Sequence, residues 1–178
     1  MDKLSEQILV KDACIIIDLI ELNLLEIFLL LDYEVVTTLS VVSEITNEEQ
    51  RIQIDSFIAS KSIKIEAEGS LSDIMTLKSK YIGLSYADAT VLELALRKKA
   101  TLVTADRLLR KAGVNENNKV HGTLWIIKTM HYCRVISCKE AIEHINKLSN
   151  INKRICQDMC FTVIKSIEEE ETTYHLNK

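Results

Sequence analysis

The stretch LSYADATVLELALRKKATLVTAD, residues 84–106, decides how the chain folds. Ser85 to Lys99 places Val91, Leu92, Ala95 and Leu96 on one helical face and gathers Arg97, Lys98 and Lys99 in the last turn, where cations suit the helix dipole. That pattern predicts an amphipathic helix. Ala100 to Val103 follows directly as a short apolar strand, and Asp106 comes just beyond its end.

The same alternation extends outward in both directions. Toward the N-terminus, Ile8 to Lys11 reads as a strand ending at Asp12, and Cys14 to Leu31 as helix broken near Asn23. Glu34 to Thr38 is β-branched and reads as strand; Ser40 then caps a short helix holding Glu44, and a longer helix runs from Glu48 to Ala59. Ile63 to Ile65 is a third strand, and Leu71 to Lys80 a helix closed by Gly83. Toward the C-terminus, Arg107 to Ala112 is a helix stopped by Gly113, Lys119 and Val120 begin a last strand, and helices follow at Thr123 to Met130, Lys139 to Leu148 and Ile155 to Ile167. This alternation predicts a three-layer α/β sandwich with a mainly parallel sheet and right-handed crossovers, plus C-terminal helices. Residues 1–167 form one domain in this reading, with 168–178 a frayed acidic tail.

Composition agrees. The 178 residues are 47% hydrophobic but only 5% aromatic, so the core must be built from Ile, Leu, Val and Ala, as suits a parallel sheet covered on both faces. The most apolar stretch, Ala13 to Leu31, carries Asp18, Glu21 and Glu26, which argues against a membrane span. The N-terminus shows no secretion signal, and a cytoplasmic location is expected. Five cysteines lack the pattern of a disulfide scaffold. A zinc site from His131, Cys133, Cys138, Cys156 and Cys160 can be drawn, but the spacing matches no zinc knuckle, and small buried hydrophobes are the simpler reading. The net charge of -4 argues against a broad basic nucleic-acid surface, although removing residues 168–178 leaves 21 basic against 22 acidic residues.

Four acids stand out by position. Asp12, Glu44 and Asp106 each lie at or just beyond the C-terminal end of a predicted strand, and Asp88 lies in the first turn of the strongest helix. In open parallel sheets ligands gather at that edge, at the switch point of strand order. Each acid also has a plainer explanation: Asp12 and Asp106 as helix N-caps, Asp88 in a capping box with Ser85, and Glu44 on a solvated helix face. If the four converge, their repulsion calls for a cation, and oxygen-only ligands favour magnesium or manganese over zinc. One or two such ions would activate a water toward phosphorus and offset charge on the leaving oxygen. The glycines, Gly69, Gly83, Gly113 and Gly122, form neither phosphate-cradling loop, and no G-x-S-x-G elbow exists, which argues against nucleotide-cofactor chemistry and against a serine or cysteine hydrolase. An aspartyl-phosphate domain with an acidic magnesium pocket remains a rival.

The residues resemble the PIN-domain family. Residues 10–17 (VKDACIII) resemble its first motif, 39–45 (LSVVSEI) its second, 84–89 (LSYADA) its third and 102–106 (LVTAD) its fourth. Val120-His121-Gly122-Thr123-Leu124 and the helices after it are similar to the C-terminal part of a prokaryotic subfamily often encoded beside small antitoxin genes. The resemblance implies a magnesium- or manganese-dependent ribonuclease, often a toxin and often a homodimer, with RNA as substrate and an antitoxin as partner. It also implies that Asp12, Glu44, Asp88 and Asp106 bind metal, with Thr104 as a supporting hydroxyl. Cys14 departs from the small polar residue more usual there, and Asp18 is a rival first acid that otherwise reads as a helix-surface charge. Arg107, Arg110 and Lys111 are candidates to hold RNA phosphates, and a solvated helix face explains them equally well. His121, just before a helix, could touch phosphate, but a structural or surface histidine is the simpler reading. The competing functional reading is a PIN-like binding module that acts through a protein partner.

Overall fold

The computed structural model describes residues 8–153 and 155–176. Among them, five strands form one all-parallel sheet: β1 (Ile8–Lys11), β2 (Glu34–Thr38), β3 (Lys64–Glu66), β4 (Thr101–Val103) and β5 (Val120–His121). Their spatial order is β3-β2-β1-β4-β5. Consecutive residues of the central strands, Leu9 and Val10, Val35 and Val36, Leu102 and Val103, are all buried. Both faces of the sheet are therefore covered, which is why these strands read as apolar runs and not as alternations.

Among the described residues ten helices fill the intervals: α1 (Ala13–Glu21), α2 (Leu25–Leu29), α3 (Leu39–Ser43), α4 (Glu48–Ala59), α5 (Leu71–Lys80), α6 (Tyr86–Lys98), α7 (Arg107–Asn115), α8 (Thr123–Tyr132), α9 (Cys138–Ile151) and α10 (Gln157–Leu176). Helix α6 lies against β1, β2 and β4. The chain runs outward from β1 through β2 to β3 and then returns to place β4 on the other side of β1. The switch of strand order thus falls between β1 and β4, where Leu9 sits opposite Thr101 and Lys11 opposite Val103.

Several boundaries differ from the sequence reading, each for a local reason. Asn23 adopts a left-handed φ of 57° and separates α1 from α2. Helix α3 is capped by the Thr38 hydroxyl, which accepts from Val41 N–H, and not by Ser40, whose N–H and hydroxyl both go to Glu68. Glu44 is consequently the C-cap of α3 and not a mid-helix residue. Gly113 does not stop α7; it lies inside the helix because a Cβ there would meet Val120 and Leu102 at 2.8 and 2.9 Å, so α7 approaches the sheet only through glycine.

The acidic segment after Ile167 is helix as far as Leu176 and not a frayed tail. Lys128 Nζ pairs with Glu170 at 2.7 Å, Arg134 pairs with Glu171, and the Arg134 guanidinium lies 4.0 Å from the ring centre of Tyr174. Among the described residues no helix is long and apolar enough to cross a membrane.

Candidate functional site

Asp12 follows β1 directly and is only 3% exposed. It caps α1, its Oδ1 accepting from Ile15 N–H at 3.0 Å. Its Oδ2 accepts from the Thr104 hydroxyl, and the same hydroxyl oxygen accepts from Asp106 N–H at 2.9 Å. Thr104, fully buried just past β4, thereby ties the acid after β1 to the acid after β4 across the switch point.

Asp106 caps α7 with Oδ1, which accepts from Leu108 and Leu109 N–H at 2.8 Å each. Asp88 completes a capping box on α6: its Oδ2 accepts from Ser85 N–H while the Ser85 hydroxyl accepts from Asp88 N–H. The plain capping roles are therefore real. Each nevertheless occupies one carboxylate oxygen, and no hydrogen bond reaches Asp88 Oδ1 or Asp106 Oδ2 among the described residues.

Electrostatics links the acids. Burial pushes the Asp12 carboxyl up to about 7, and the negative charges of Asp88 and Asp106 push the same way, against the hydrogen bonds from Thr104 and Ile15. Glu44, on the exposed end of α3, is also raised, first by desolvation and then by the charge of Asp88, while a hydrogen bond from Ser85 opposes the shift. Asp12, Asp88 and Asp106 thus share one electrostatic environment, and Glu44 joins it through Asp88.

The basic candidates separate. Arg107 and Lys111 are exposed on α7. Arg110 is half-buried, donates from Nη2 to the Thr104 carbonyl at 2.7 Å, and feels the charge of Asp12. Desolvation lowers its pKa while Asp12 raises it.

Three features escape a reading of the sequence. Lys11 is fully buried beside Asp12, its Nζ 3.3 Å from the ring centre of Phe28 and without a hydrogen-bond partner among the described residues. Burial holds its pKa well below the usual lysine value, and Asp12 only partly offsets this. Asp18 is not a helix-surface charge: it is buried and accepts from Thr123 Oγ1 at 2.7 Å and from Asn152 Nδ2 at 3.1 Å. These partners, on α8 and just past α9, engage both of its carboxylate oxygens. The third is Gly122, whose bare Cα gives the Arg110 guanidinium room to reach Thr104.

The zinc arrangement is not formed. His131 instead faces Glu171 at 3.1 Å, and among the described residues no three His, Cys, Asp or Glu side chains stand close enough together to enclose a metal ion. This holds for the acids at the sheet edge as well: among the described residues no three of them stand close enough together to enclose an ion. Their donor atoms are oxygen only, the kind that hard divalent cations prefer over softer metals.

An all-parallel α/β sheet with carboxylates gathered at its switch point defines a class of ligand-binding domain in which the chemistry sits outside the carboxyl ends of the strands. This chain belongs to the PIN-domain family: a family model described as a PIN domain matches residues 8–169. Members of that family are generally metal-dependent nucleases. No curated protein sequence matches the chain.

Proposed function

We propose that the protein is a divalent-metal-dependent endoribonuclease that hydrolyses RNA phosphodiester bonds at Asp12, Glu44, Asp88 and Asp106. The observation that carries this reading is the Asp12–Thr104–Asp106 linkage across the switch point, with Asp88 close enough to raise the Asp12 carboxyl further. A buried carboxylate beside two others is unfavourable until a cation neutralises it.

Magnesium or manganese, as one ion or two, would supply charge stabilisation at the scissile phosphate and a water activated for attack. The chain's own residues do the rest. Thr104 fixes the orientation of Asp12 and spaces it from Asp106. Ser85 holds Asp88 by one oxygen and leaves the other for a ligand, and Glu44 adds charge from the α3 end. Arg110 places a positive charge beside Asp12, where it would hold a substrate phosphate, and exposed Arg107 and Lys111 extend that contact along α7.

The family's association with antitoxins supports a place as the toxin of a toxin–antitoxin pair, acting in the cytoplasm as a homodimer. The second reading, a binding module with weak catalysis, draws on the open spacing of the acids. Cleavage of a mixed single-stranded RNA with manganese, with magnesium and with chelator decides between them. Metal-dependent cleavage lost in Asp12→Asn and Asp88→Asn is the expected result. A folded protein that cuts under no condition, or variants with full activity, would overturn the assignment.

A further inference from the structure

Beside the acids lies a cavity of about 410 Å³, whose lining includes Ala105, Arg110, His121, Trp125, Met159 and Val163. That volume is within the range of small-ligand sites. None of the four acids lines it; Ala105, the chain neighbour of Asp106, and Arg110, which feels the charge of Asp12, link it to them. Its aromatic wall is a ready-made platform: the His121 and Trp125 rings stack with centroids 4.3 Å apart and planes 8° from parallel. Desolvation, then the charges of Arg110 and Lys119, lower the His121 pKa, so the ring is a neutral hydrogen-bonding group.

The cationic side is equally specific. Lys128 reaches the cavity but is already paired with Glu170 and Ser166, each at 2.7 Å. Arg110 differs: it is half-buried, its hydrogen bond goes to the Thr104 carbonyl, and among the described residues it has no carboxylate within ion-pair distance. A Cβ on Gly122 would stand 2.6 Å from its Nη2, so the absence of a side chain there is what permits the pose. A planar guanidinium held this way, with donors to spare, is suited to a phosphate.

We propose that this cavity is a nucleobase subsite, in which one unstacked base of single-stranded RNA lies against the His121–Trp125 pair while Arg110 holds the adjoining phosphate. The next phosphodiester is then directed to the acidic cluster. Stacking on an aromatic face tolerates any base, so the subsite selects for single strands more than for sequence. An apolar peptide would fill the same walls but leave the guanidinium's remaining donors unused, and RNA is the occupant the charge favours. The inference rests on the ribonuclease reading for its substrate.

Trp125 is the only tryptophan in the chain, so its fluorescence reports on this cavity alone. In chelator, where cleavage is stopped, a short mixed-sequence single-stranded oligoribonucleotide should quench Trp125 saturably, and a duplex of the same sequence should not. Arg110→Met and the milder His121→Ala, each checked for an unchanged melting profile, should weaken that binding on the order of tenfold. With manganese present His121→Ala should raise KM more than it lowers kcat, as loss of uniform substrate binding does. Emission that ignores the single strand, or responds equally to the duplex, overturns the subsite. If Asp12-dependent cleavage continues while emission stays silent, the subsite fails and the nuclease reading stands. Quenching by the single strand with no cleavage under any metal leaves the subsite standing and removes the nuclease reading.

Discussion

At the scale of single residues, Asp12 and Lys11 are buried in adjacent positions and are perturbed in ways that measurement can separate. Asp12 is raised to about 7 in the fold, whereas an unfolded aspartate titrates near 3.8. The native state therefore holds a proton that the unfolded state has released between these values, and stability without metal should fall as pH rises from about 4 to 7. The full loss is on the order of 4 kcal/mol. Asp12→Asn should flatten this slope and raise the metal-free melting temperature at pH 8; urea titrations of both proteins at pH 5 and pH 8 check it. Lys11 has the opposite slope, since a lysine lowered by burial favours the fold more as pH rises toward the ordinary lysine value. Lys11→Met keeps the length of the side chain and removes the unpartnered amine, and should stabilise the protein by roughly 1 kcal/mol at pH 7. A lower melting temperature for Lys11→Met would show that the contact with Phe28 outweighs desolvation. Neither burial was legible in the sequence, where a lysine at a strand end reads as exposed. Asp18 was misread for a similar reason: its partners Thr123 and Asn152 are 105 and 134 residues away.

At the scale of elements, what was legible followed from local chemistry. The β1, β2 and β4 runs, the amphipathic α6 and the Ser85 cap are fixed by residues within a few positions of one another, and they emerged with nearly their observed bounds. What was missed depended on packing. Gly113 continues α7 because that helix must approach Val120 and Leu102, and Thr38 displaces Ser40 as a cap because Ser40 is engaged by Glu68 from another loop. The end of α10 is the clearest case: a run of glutamates reads as frayed until Lys128, His131 and Arg134 of the α8 end supply partners. Glu171→Ala would leave the buried His131 without its carboxylate and release Arg134 from its ion pair, and should lower the melting temperature. Limited proteolysis should then cut α10 before any other helix. Unchanged protection would mean that Glu170 and Tyr174 suffice to hold the helix down.

For the whole molecule, the strand order carries the functional argument. Because β1 and β4 are neighbours in space though about 90 residues apart in sequence, the acids that follow them meet at one edge, and Thr104 joins them. Asp12, Asp88 and Asp106 were legible as helix-start acids, whereas Glu44 is a helix C-cap, and the linkage through Thr104 was not legible in any local pattern, since none records a hydroxyl shared between two carboxylate-bearing loops. A cation that binds at these acids only in the folded state should stabilise the protein. At 100 times Kd the gain is about 2.7 kcal/mol, or roughly 5–10 °C for a chain of this size. The measurement is therefore the melting temperature of the purified protein with and without millimolar manganese, beside Asp12→Asn and Asp88→Asn. A rise in the unaltered protein that both substitutions abolish is the expected result; equal melting with and without manganese, or an equal rise in the variants, would contradict a metal site at these acids.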